Sequence, residues 1–200
     1  MTALSTEPGT NHDPAVLAAK LDRLEEPHIR GLTAFVDEIR EQTGRGVPYV
    51  DPDSGGTGST VIVLLRSPGK AASARTGLLS VDNDSPTARH LWQAHEESGL
   101  RRDRAFHWNA VPWFAATEDE GPADALDTNY YLQQLIALVP GLRVVIGVGP
   151  KPSLALAEIA PTLAAGSIHT LHVAVPGPHA SAADLAQLAA VFTAARVLSE

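Results

Sequence analysis

The run Val61-Ile62-Val63-Leu64-Leu65 constrains this chain more than any other segment. It has no polar alternation, so a strand here has no face for water. Such strands belong to parallel sheets covered by helices on both sides. The segments that follow keep to that plan. Pro86 to Glu97 reads as a helix, and Arg104 to Val111 as a second strand. Leu132, Leu135, Ile136 and Val139 form a helical stripe. Leu142 to Val148 is a third strand, ended by Gly147 and Gly149. Leu156, Ile159, Ala160 and Leu163 mark a helix that Pro161 breaks or kinks. Thr170 to Val175 is a fourth strand, and Leu185, Leu188, Ala189 and Phe192 mark a closing helix. Strand and helix alternating in this way predict an α/β fold. The expected architecture is a three-layer α/β/α sandwich with a four-stranded, mostly parallel central sheet.

Upstream, residues 1–58 read as a tail, helices and a Gly-rich linker packed on the α/β domain of residues 59–200. The polar stretch to about Asp13 is expected to be a mobile tail. Pro14 suits the first turn of a helix. Leu32, Phe35, Val36 and Ile39 give a second helical stripe, with Gly44 and Gly46 as stops. Asp51 to Ser59, with Gly55, Gly56 and Gly58, is expected to be a loop or linker.

Composition narrows the chemistry. The chain of 200 residues carries no cysteine, which removes disulfides, thiolate zinc sites and cysteine-ligated iron–sulfur clusters. No apolar run reaches the roughly 20 residues that span a bilayer. Met1-Thr2-Ala3 lacks the basic start of a signal peptide, so a cytoplasmic monomer away from membranes is expected. The formal charge of −8 opposes non-specific nucleic-acid binding. Local basic clusters remain: Arg66, Lys70 and Arg75, and Arg101, Arg102 and Arg104.

In open parallel sheets, ligands bind beyond the carboxyl ends of the strands. That singles out the loops starting at Arg66, Asn109, Gly149 and Pro176. Several motifs are absent from them. Pro68-Gly69-Lys70-Ala71 is not a phosphate loop, because Leu64 stands where its first glycine belongs and Ala71 follows the lysine. Gly147-Val148-Gly149 lacks the third glycine of a dinucleotide fingerprint. His90 and His95 do not share a helical face, and His169 and His172 point to opposite faces of a strand. No metal and no organic cofactor is therefore expected.

What these loops do contain, in order, is Leu65-Arg66-Ser67-Pro68-Gly69, then Phe106-His107-Trp108-Asn109-Ala110-Val111-Pro112, then Val145 to Ser153, then Val175-Pro176-Gly177-Pro178-His179-Ala180-Ser181. From Thr60 onward this series resembles the uracil-DNA glycosylase superfamily. The resemblance implies a protein that recognises a damaged or deaminated base extruded from DNA and hydrolyses its N-glycosidic bond. It implies that Asn109 reads the base, its carboxamide matching the O4 and N3–H of uracil. Pro68 and Gly69 would let backbone amides approach the base. His179 would stabilise the leaving base. Ser67 would orient water, helped by Asp84 or Asp82. Arg66, Lys70 and Lys151 would meet phosphates, and Ser181, in the loop that enters the minor groove, would contact the DNA.

Bland roles compete with each. Asn109 at a strand end can be a turn former. Ser181 can be only a helix cap. Asp82, Asn83 and Asp84 can be a turn before the helix at Pro86. The sequence also departs from the family. Ser67 stands where that superfamily has Asp or Asn, Arg66 where Gln or Glu is common, and the last motif reads His-Ala-Ser instead of His-Pro-Ser. A catalytically weak or inactive member of the fold, binding a nucleobase, nucleic acid or protein partner, is the alternative. An unrelated α/β enzyme acting on a small metabolite is the third reading.

Overall fold

The computed structural model describes residues 7–114 and 122–200. In chain order the elements are α1 (Pro14–Leu21), α2 (Arg30–Thr43), β1 (Tyr49–Val50), β2 (Val61–Leu65), β3 (Leu78–Leu79), α3 (Pro86–Ser98) and β4 (Ala105–Asn109). Then follow α4 (Pro122–Ala137), β5 (Val144–Val148), α5 (Pro150–Glu158), α6 (Ala160–Ala165), β6 (His169–Val173) and α7 (Ala182–Ser199).

The central sheet has four strands in the order β4-β2-β5-β6, and every pairing is parallel. Period-two alternation sorts its side chains into two cores. Ile62 and Leu64 of β2, Phe106 and Trp108 of β4, and Val145 of β5 pack with α2, α4, α5 and α6. Val61 and Val63, Ala105, and Val144, Ile146 and Val148 face α3 and α7. The molecule is thus an α/β protein with helices on both faces of an all-parallel sheet. β6 forms one edge, with His169, Thr170 and His172 exposed. By length and composition α7 could cross a membrane. Its Leu188, Phe192 and Ala195 are buried in the core, while Val197 and Leu198 are exposed.

Local chemistry sets the element ends. Ser85 caps α3 by accepting from the Ala88 amide at 3.2 Å, and Pro86 follows at the first turn. The expected break at Pro161 separates α5 from α6 at Ile159. Asp13 caps α1, and Pro14 is its first residue.

The N-terminal region differs from expectation in three ways. Residues 7–13 are not a free tail: the Asn11 amide donates to the Asp82 carbonyl at 3.0 Å, and its side chain donates to Asn83 Oδ1 at 3.1 Å. The first six residues lie outside the described residues. Asp51 to Ser59 is a packed crossover. A Cβ on Gly56 would come within 2.0 Å of the His28 carbonyl oxygen, and φ there is +53°. Finally, β1 and β3 form a parallel two-residue pairing that no periodicity announces.

A buried ionic network holds these pieces together. Lys20 Nζ lies 2.9 Å from Asp51, 3.1 Å from Asp53 and 2.7 Å from Asp82. Arg102 grips Asp82 with two bonds, at 2.9 and 3.2 Å. Arg23 pairs with Asp53 at the margin. Burial works against the Lys20 charge, but Asp51 and Asp82 outweigh it and raise its pKa above the ordinary lysine range.

Candidate functional site

From β2 the chain crosses to β4 on one side and later returns to β5 on the other. The carboxyl ends of β2 and β5 therefore flank the point where the winding reverses, which is where such sheets bind ligands. A cleft of about 610 Å³ opens there. Leu65, Val148, His107 and Asn109 reach it from three strand ends. Arg66 to Ala72 form one wall. The turn from Ser80 into α3 forms another, and Pro150 and Val175 close the third side.

Asn109 is fixed by the sheet. It stands opposite Leu65 in the β2–β4 register, and the next two amides, of Ala110 and Val111, donate to the carbonyls of Leu65 and Arg66 at 2.7 and 2.8 Å. Its side chain is 3 % exposed, and Nδ2 is buried with no hydrogen-bond partner. Buried amides are nearly always paired, so an unpaired one lining a cleft points to a ligand. Two residues earlier on the same face, His107 also lines the cleft and has an unpartnered, buried Nε2. Burial, with the His95 imidazole and the Arg102 guanidinium adding to it, holds His107 well below 6.5. Leu79, Ser80 and His107 separate the cleft from a small polar cavity beside Asp51, Asp53 and Arg102.

Among the described residues, the charged groups lining the cleft are Arg66, Lys70, Arg75 and Asp84. Arg75 ties two walls together by donating to the Asp84 carbonyl at 2.9 Å.

The expected site residues divide into two groups. Arg66, Ser67, Pro68, Gly69, Lys70, Asp84 and Asn109 all line the cleft. Pro68 is buried, whereas Gly69, Lys70 and Asp84 are exposed at the rim. His179, Lys151 and Ser181 are not among its lining residues. His179 is exposed on the loop after β6, not buried as a role at the base would need. The Ser181 hydroxyl donates to Asp184 Oδ2 at 2.7 Å and accepts from the Asp184 amide at 3.2 Å, closing a capping box on α7. Asp82 has no exposure and is committed to Lys20 and Arg102, so it cannot serve as a carboxylate in the cleft.

Sequence reasoning missed His107 and the Lys20 network. His107 carried one signal: a histidine in the middle of a short, otherwise mostly apolar strand. Lys20 carried another, as the lone charge in Pro14-Ala15-Val16-Leu17-Ala18-Ala19-Lys20-Leu21. Among the described residues no group of three or more His, Asp or Glu is placed to hold a metal ion. No family model matches the chain, and no curated protein matches it.

Proposed function

We propose that the cleft receives a nucleobase extruded from DNA and that Asn109 reads its edge, in a protein of the uracil-DNA glycosylase type. The observation that carries this reading is the unpartnered Asn109 Nδ2 at the ends of the strands. A carboxamide offers two donors and an acceptor, the complement of a base edge that presents both. Lys70 and Arg75 at the rim supply positive charge of the kind that a phosphate backbone attracts. The four-stranded parallel sheet with helices on both faces accommodates the fold that the resemblance implies.

In the hydrolytic form of this reading, a water oxygen attacks the sugar C1′ while the C1′–N bond breaks. The bonding electrons leave with the base, and hydrogen bonds from Asn109 stabilise that charge. Ser67 and Asp84 both line the cleft and, in this reading, would orient the water.

One observation favours a second reading, base recognition without hydrolysis. Asp82 is sequestered, Asp84 is solvent-exposed, and His179 stands outside the cleft. An excision assay separates the two. Oligonucleotides containing uracil, hypoxanthine or xanthine are incubated with wild type and with Asn109→Ala. Cleavage by wild type that falls by about 100-fold or more in the variant supports hydrolysis, the loss expected for one transition-state donor. Binding without cleavage at enzyme excess supports the second reading. Cleavage that is unaffected in Asn109→Ala rejects the assigned site.

A further inference from the structure

Reading a base through Asn109 leaves His107 unexplained. The two residues sit two apart on β4, so they share a sheet face, with Cα atoms roughly 6.6 Å apart at about 3.3 Å per residue. Trp108 between them faces the opposite core. His107 packs edge-on against His95, with ring centroids 5.4 Å apart. Nδ1 of His95 lies 2.7 Å from the Leu100 carbonyl, so that nitrogen carries the hydrogen and donates it. The His107 ring is thereby packed in place beside Asn109. It is neutral near pH 7 and presents one N–H.

We propose, resting on the base-reading function above, that His107 is a second base-reading residue and that the pair selects a deaminated 6-keto purine over uracil. Asn109 and His107 stand on one face of one strand, both line the cleft, and each has a buried nitrogen without a partner, so together they can offer two donors. A 6-keto purine presents two adjacent acceptors, O6 and N7, on a single edge. Uracil offers O4 with a carbon beside it, which leaves the imidazole unpaired in the cleft. A site built to hydrogen-bond an atom discriminates strongly against the analogue that lacks it. A cleft of about 610 Å³ has room for the larger bicyclic base. Guanine shares the same edge. The advantage of hypoxanthine or xanthine over guanine lies in easier extrusion from a mispaired site.

The test changes one atom of the ligand. Duplexes carrying hypoxanthine, 7-deazahypoxanthine or uracil at one position are titrated with wild type, His107→Phe, His107→Gln and Asn109→Leu at low salt. Wild type is expected to bind hypoxanthine about tenfold tighter than its 7-deaza analogue, the scale of one directed hydrogen bond to a base. His107→Phe should bring that ratio to one, and His107→Gln should restore part of it. Should His107→Phe not fold, the His107→Gln ratio supplies the comparison, and a ratio equal to wild type in a folded His107 variant overturns the role of His107. Equal binding of hypoxanthine and 7-deazahypoxanthine, both still dependent on Asn109, overturns the role of His107 and leaves the base-reading function standing. Binding of every probe no tighter than undamaged DNA overturns that function and this inference together.

Discussion

At the scale of single residues, one strand carries three successive side chains with a buried, unpartnered polar atom. His107 Nε2, Trp108 Nε1 and Asn109 Nδ2 are consecutive, buried and without partners. Only the first and last of these residues line the cleft. Asn109 was legible in the sequence because Asn-Ala-Val after a strand carries a resemblance. His107 was not, because a strand histidine is usually a satisfied core residue, and nothing local reveals that its neighbour will be a second buried imidazole. That neighbour has a measurable consequence. Burial lowers His95 to about 4, although its bond to Leu100 works the other way. Its folded pKa thus lies below the 6.5 of the unfolded chain. Stability is fully present above pH 6.5 and is lost as the pH falls towards 4. Between pH 7 and pH 5, His95 alone should remove about 2 kcal/mol. Urea denaturation at the two pH values measures the loss, and His95→Gln should remove its share of the dependence, leaving that of the buried His107. A wild type equally stable at both values would contradict the assignment of His95 as buried and neutral.

At the scale of elements, long periodic segments were readable and short tertiary ones were not. β2, α3 and α7 carry their own hydrophobic pattern and fall where the sequence places them. β1 and β3 have two residues each, too few for any period, and exist because Tyr49 and Val50 are brought beside Leu78 and Leu79. What brings them there is the network around Lys20, which links α1, the crossover after β1 and the turn before α3. Three carboxylates converge on that ammonium. Removing it leaves them buried and partly uncompensated, a change that typically destabilises by about 3–5 kcal/mol. Lys20→Met should therefore lower the urea midpoint by that equivalent. It should also loosen the Ser80–Ser85 turn that walls the cleft, visible as faster amide exchange there. An unchanged midpoint would show that the network is dispensable.

At the scale of the whole molecule, the order of elements predicted a parallel sheet, but not which strand lies where. Part of that order is legible in retrospect. The fully apolar strands β2 and β5 are central, and the strand carrying His169, Thr170 and His172 is an edge. Residues 30–43 are not an appendage, since Leu32, Phe35, Val36 and Ile39 share a core with Ile62, Leu64, Phe106 and Trp108. The chain is acidic, and Arg66, Lys70, Arg75 and Asp84 line the cleft. The residues that the resemblance placed in the last loop lie apart from it, because the exit of β6 runs past Val175 and leaves His179 in solvent.

The central claim is that Asn109 reads an extruded base, and it is tested most directly by equilibrium binding. Fluorescence anisotropy compares wild type and Asn109→Leu on a duplex with a single deaminated base and on its undamaged counterpart. The substitution keeps side-chain volume and removes an unpaired buried amide, so the variant should fold at least as stably. Wild type should prefer the lesion by about tenfold or more, and Asn109→Leu should bind both duplexes alike. A folded Asn109→Leu that keeps the preference would contradict the account.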